Sequence, residues 1–155
     1  TRELFEVREA LEVMAVQLAI EKMEEGDLEA IEEIAKRHAE YMPNVYDRQK
    51  IALGVQFHMQ IARMSKNKKI LQLLKTNMEH EYTRYTYEEA DMSRMKPAVE
   101  EHFEIIEAIR NKDLIKSVDL IRRHVQNNKN HVLDTLKKQQ EDDEAELWHG
   151  NGLEI

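Results

Sequence analysis

The sequence predicts an all-α protein. Four glycines and two prolines in 155 residues leave little turn chemistry for a sheet. Apolar residues instead recur at i, i+3, i+4 and i+7 through long segments rich in charge, the pattern of helices with one buried face. With 35% charged residues and one domain's worth of length, the chain is expected to fold around a single core.

The first helix is predicted from about Glu3 to Glu24, with Leu4, Val7, Leu11, Met14 and Leu18 facing inward and Gly26 stopping it. Arg8 lies beside that stripe and reads as solvated, or paired with Glu12 one turn later. Asp27 is a suitable N-cap for a second helix, Leu28 to about Tyr41, with Ile31, Ile34, Ala35 and His38 on one face. His38 is near the helix end, where histidine commonly meets carbonyls or water, and is expected to do so here. Pro43 and Asn44 open a loop to about Arg48.

The stretch IALGVQFHMQIARMSKN, Ile51–Asn67, reads as a third helix with Ile51, Val55, Ile61 and Ala62 inward, His58 among them and Gly54 one turn earlier on the same face. Gly54 is the only glycine inside any of these predicted helices and costs about 1 kcal/mol relative to alanine, so a local reason is expected. Asn67 caps a fourth helix, Lys68 to about Glu89, with Ile70, Leu71, Leu74, Met78 and Tyr85 inward and Tyr82, Tyr85 and Tyr87 clustered near its end. The fifth, about Met95 to Arg110, carries Val99, His102, Phe103, Ile106 and Ile109 on one face. Asp113 caps the sixth, which runs to about Gln139 with Leu114, Val118, Ile121, Val125, Val132 and Leu136 inward and His124 at the stripe's edge. His131 reads as solvated, and from Gln140 the periodicity ends. Residues 1–141 are thus expected to be one domain and 142–155 a loose acidic tail.

His58, His102 and His124 place three imidazoles on the inward faces of three helices. A buried imidazole without a partner costs roughly 1–3 kcal/mol, and one shared cation satisfies all three at once. Without cysteine, a metal site has only nitrogen and oxygen ligands available. Glu101 points about 100° around the helix from His102 and is not expected to join it. The net charge of −8 disfavours general nucleic-acid binding, which needs clustered Lys and Arg. No apolar run approaches the length of a membrane span, and a cytoplasmic protein is expected.

Four segments, VREALEVMAVQLA, GVQFHMQIARMSKN, EEHFEIIEAIRNKD and LIRRHV, in this order and spacing, resemble the FCD domain, the C-terminal effector-binding domain of FadR-subfamily GntR transcription regulators. The resemblance covers about Leu4 to Leu136. It implies an antiparallel bundle of six or seven helices around a pocket holding a divalent metal, often zinc or nickel, through one aspartate and three histidines. Those histidines match His58, His102 and His124. The aspartate position is Gly54, which leaves three protein ligands. The first-helix arginine that meets an effector carboxylate in several members matches Arg8.

The function expected is therefore effector sensing. A small carboxylate (a hydroxy acid, keto acid or short dicarboxylate) binds between Arg8 and the metal, in a homodimer whose winged helix-turn-helix is not in this sequence. The alternative is a metal-dependent, hydrolase-like enzyme, since three histidines with open positions also describe catalytic zinc. Against it, no general base stands beside the histidines in the sequence pattern.

Overall fold

A computed structural model describes residues 1–82 and 91–150, apart from the Tyr82 side chain. Among the described residues the chain forms six α-helices and no strand: α1 (Arg2–Lys22), α2 (Asp27–Glu40), α3 (Arg48–Met64), α4 (Lys68–Tyr82), α5 (Met95–Arg110) and α6 (Leu114–Gly150), with a 3₁₀ turn at Met92–Arg94 leading into α5. The expected fold class is thus met. Helix α1 packs against α3, α4 and α6, while α2 packs on α3 and α5, and α5 on α6. The expected ends of the fourth helix and the tyrosine cluster near Tyr85 fall on or beyond residue 82, outside the described side chains.

Several helix ends follow from their capping residues. The Asp47 carboxylate accepts from the Lys50 amide at the start of α3 (2.8 Å), Asn67 Oδ1 accepts from the amides of Lys69 and Ile70 (3.0 Å each), and Asp113 from that of Lys116 (3.1 Å). Gly26 precedes α2 at φ +89°, a left-handed conformation that a β-carbon would strain. Asp27 begins that helix rather than capping it; its carboxylate accepts from the Glu24 amide and from Lys66.

The main core is built from Ala15, Val16 and Ala19 of α1, Ile31 and Ala35 of α2, Phe57, Ile61, Ala62 and Met64 of α3, Leu74 and Met78 of α4, Ile105 and Ile109 of α5, and Ile121 of α6. Helix α1 corrects its predicted stripe. Val7 and Met14 are about half exposed, whereas Phe5, Arg8, Glu12, Ala15, Val16 and Ala19 are buried. Leu11 and Leu18 of the expected stripe do pack against the core, but the centre of the inward face carries an ion pair, which periodicity of apolar residues alone does not locate. Phe103 and Leu114, also expected inside, are exposed.

Helix α6 is 37 residues long, about 55 Å at 1.5 Å per residue. Its last buried residue is Thr135. The segment expected to be a loose tail is helical as far as Gly150, with residues 141–150 all exposed and Leu147 and Trp148 facing solvent.

Candidate metal centre

His58 of α3, His102 of α5 and His124 of α6 are all buried and converge on one point. Their ligand nitrogens lie within 4.8 Å of one another. Nε2 of His124 is 3.2 Å from Nε2 of His58 and 3.3 Å from Nε2 of His102.

The outer sides of two rings decide what those short distances mean. Nδ1 of His124 donates to Glu101 Oε1 at 2.6 Å, and Nδ1 of His58 donates to the carboxylate of Glu12. Each ring therefore keeps its proton on Nδ1 and turns the lone pair of Nε2 inward. Two lone pairs 3.2 Å apart have no proton to share between them; the donors beside them are the Arg8 guanidinium, 3.2 Å from His58 Nε2, and the Asn128 amide, 3.2 Å from His124 Nε2. A carboxylate behind each imidazole is also the arrangement that fixes the tautomer of metal-bound histidine and raises its basicity. His102 is held differently. Its ring stacks on Phe57 with centroids 3.8 Å apart, and its Nδ1 has no hydrogen-bond partner among the described residues.

Electrostatics keep the rings neutral, the form that ligates. Burial pushes His124 down to about 4 against the opposing pull of Glu101, and pushes His102 well below its ordinary value. His58 is lowered too, by burial first. Burial alone would raise Glu12, but His58 and Arg8 outweigh it and hold the carboxyl at about 2. Glu101 is likewise held at about 2 by hydrogen bonds from Arg94 and His124.

Arg8 is buried, as periodicity did not foresee. Its Nε donates to Glu12 at 2.7 Å, one Nη to Glu81 at 3.0 Å, and the other lies 3.2 Å from His58 Nε2. Burial raises Glu81 to about 7 in spite of Arg8. Arg8 is not among the residues lining the cavity beside the histidines. That cavity, about 60 Å³, is bounded by His38, Tyr46, Lys50, Gly54, Arg94 and Asn128 with the three histidines. It is roomy enough for a few water-sized groups. Its cationic residues are Lys50, whose Nζ donates to the carbonyls of His38 and Tyr41, and Arg94, whose guanidinium donates to Glu101 at 2.7 Å and to Asn128 at 2.9 Å.

Residues 3–127 match the FCD domain family. The chain belongs to that family. FCD domains are the effector-binding, non-enzymatic domains of GntR-type transcription regulators, which removes the hydrolase alternative. The chain shares its fold with E. coli McbR/YncC, at a TM-score of 0.71 and 18% identity over 86% of this chain and 64% of that one. It also shares it with a Streptococcus agalactiae GntR protein, at 0.67 and 23% over 83% and 57%. The chain thus spans less than two thirds of the length of either. No curated protein sequence matches it.

FCD domains often bind a metal. This FCD domain brings together the three histidines picked out by sequence and supplies carboxylates that the sequence reading left aside. Glu101, set aside because it points away from His102, supports His124 on the neighbouring helix instead. Glu12 was visible only as a partner of Arg8. His38, expected at a wet helix end, is 4% exposed, with its ring centroid 4.9 Å from that of His102. His131, expected to be solvated, lines the cavity with Nε2 buried and unpartnered among the described residues. Its place on α6 two turns after His124 was the one available signal.

Proposed function

We propose that this FCD domain senses a small carboxylate through a divalent cation, zinc or nickel, held by His58, His102 and His124. The observation that carries the reading is the inward turn of Nε2 lone pairs enforced by Glu12 and Glu101. The cation would supply a fixed positive charge at the cavity floor to attract an anionic oxygen. Three neutral imidazoles leave that charge uncompensated, so an anionic ligand is favoured over a neutral one. Arg94 lies on the cavity wall with its guanidinium engaged by Glu101 and Asn128, and adds positive charge beside the ligand's carboxylate. Arg8, held by Glu12 and Glu81 with its other Nη 3.2 Å from His58 Nε2, positions that ring rather than meeting the effector directly. A cavity of about 60 Å³ favours acids of a few carbons.

The effector acts by preferring one arrangement of the helices over another, and so biases a winged-helix DNA-binding domain joined to this one in a longer, dimeric, cytoplasmic regulator. The test is a thermal-shift screen of short hydroxy, keto and dicarboxylic acids on zinc-loaded protein, chelator-treated protein, Arg94→Ala and Arg8→Ala. At one hundred times its dissociation constant a binding acid stabilises the fold by about 2.7 kcal/mol. The shift is expected to vanish on chelation and to shrink in Arg94→Ala. A shift in no acid, or one that survives both treatments, refutes the mechanism.

A further inference from the structure

Gly54 stands on α3 one turn before His58 and lines the same cavity. A β-carbon built there would meet a single side chain, His38, with Nε2 at 3.5 Å and Cδ2 at 3.9 Å. The imidazole of α2 therefore occupies the ground that a side chain at position 54 would enter. A larger residue at 54 would compete for it.

His38 has few reasons of its own to be there. It is 4% exposed, and Nδ1 is buried without a hydrogen-bond partner among the described residues. No described side chain accepts from or donates to its other ring nitrogen, since the hydrogen bond it does receive, from Lys50, goes to its backbone carbonyl. Burying Nδ1 without a partner costs on the order of 1–3 kcal/mol. Lys50 spends its ammonium on the carbonyls of His38 and Tyr41, which pins the last turn of α2 against α3 and keeps the ring at the cavity. Ring stacking does not explain the position either, because His38 lies tilted by 35° to His102 rather than flat upon it.

We propose that His38 is a further protein ligand of the cation held by His58, His102 and His124, supplied by α2 where Gly54 leaves the cavity open on α3. The inference rests on the three-histidine reading. Four nitrogens complete the tetrahedral set that zinc favours in closed sites. His38 is not within the 4.8 Å group of the other three, so it joins by closing on the ion from the cavity side. An effector oxygen approaching from that side competes with the His38 ring for the same position. Displacement of His38 from the ion is then the event that ties ligand binding to movement of α2.

The experiment uses the purified chain loaded with cobalt(II), whose visible absorption intensity reports coordination number, together with cobalt and zinc affinities from chelator competition. His38→Gln and His38→Phe, the latter keeping the ring volume, are each expected to lower affinity by about tenfold or more, as even outer partners of a ligand do. They are also expected to lower the visible absorption of the cobalt form. Gly54→Asp placed in the His38→Ala background is expected to restore affinity, because the carboxylate enters the space that the imidazole has left. The same Gly54→Asp change in the wild type should add little. Wild-type affinity and spectrum in both single variants overturn the proposal, and so does a loss that Gly54→Asp fails to rescue, which marks His38 as packing only. His102→Ala separates the two readings. Loss of metal there with no effect at His38 overturns this inference alone, while absence of cobalt binding by the wild type overturns both.

Discussion

Acid should destabilise the metal-free domain through its histidines, well above the pH at which Glu12 and Glu101 protonate. In the unfolded chain an imidazole protonates near 6.5, whereas burial holds His38 down at about 3 and His124 at about 4, and His102 also lies well below its ordinary value. Their stabilising effect is complete above pH 6.5 and is lost as pH falls toward the folded values, because the unfolded state takes up protons that the folded state refuses. Between pH 6.5 and 5 His38 and His124 each cost between about 1 and 2 kcal/mol, roughly 3 together, and His102 adds in the same sense. Glu81 acts in the opposite sense. Its folded value is raised to about 7, so it favours the fold increasingly as pH drops through that value, and returns about 2 kcal/mol over the same range. Glu12 and Glu101, held at about 2, weaken only below about pH 4.5 and contribute little here. Set against Glu81, His38 and His124 leave a net loss of about 1 kcal/mol, which His102 deepens. Urea unfolding of chelator-treated protein, followed by far-ultraviolet circular dichroism at pH 6.5 and 5.0, measures it. Stability that is level or rising across that interval would refute the neutral, buried histidine cluster.

Glu101→Gln removes the negative charge behind His124 while keeping a hydrogen-bond acceptor, and should weaken zinc binding about 10- to 100-fold in a chelator competition. An unchanged affinity would show that Glu101 serves only Arg94. Lys50→Met keeps the buried stem but strips two donors from the carbonyls of His38 and Tyr41, and should lower unfolding stability by about 2–4 kcal/mol; a change below about 0.5 kcal/mol would place the end of α2 under other control. Self-association is expected along the half-exposed apolar residues Val7 and Met14 of α1 and Leu73 of α4. Sedimentation that shows only monomer at high micromolar concentration would contradict it.

The sequence by itself determined the helices and most of their starts, since caps such as Asp47, Asn67 and Asp113 act on amides within three residues of themselves. It also determined which histidines converge. His58, His102 and His124 each sit in or beside an apolar stripe, and burial of those stripes brings them together. Helix α6 was underestimated because its last turns have no apolar period. Exposed Glu, Asp, Ala and Gln suffice to propagate a helix already nucleated upstream, and propagation needs no buried face.

Only the tertiary structure decided what surrounds the histidines. Glu12 supports His58 across 46 residues of chain and Glu101 supports His124 across 23, pairings between helices that no spacing within one helix encodes. The inward side of α1 was decided the same way. Arg8 and Glu12 are buried because Glu81 and His58 await them from α4 and α3, and a charge becomes tolerable inside only when its partners are already in place. His38 likewise looked like a helix end facing water until packing of α2 on α3 put Gly54 in front of it. Propensity and periodicity are properties of one segment, whereas the solvation of a buried polar group depends on the segments around it.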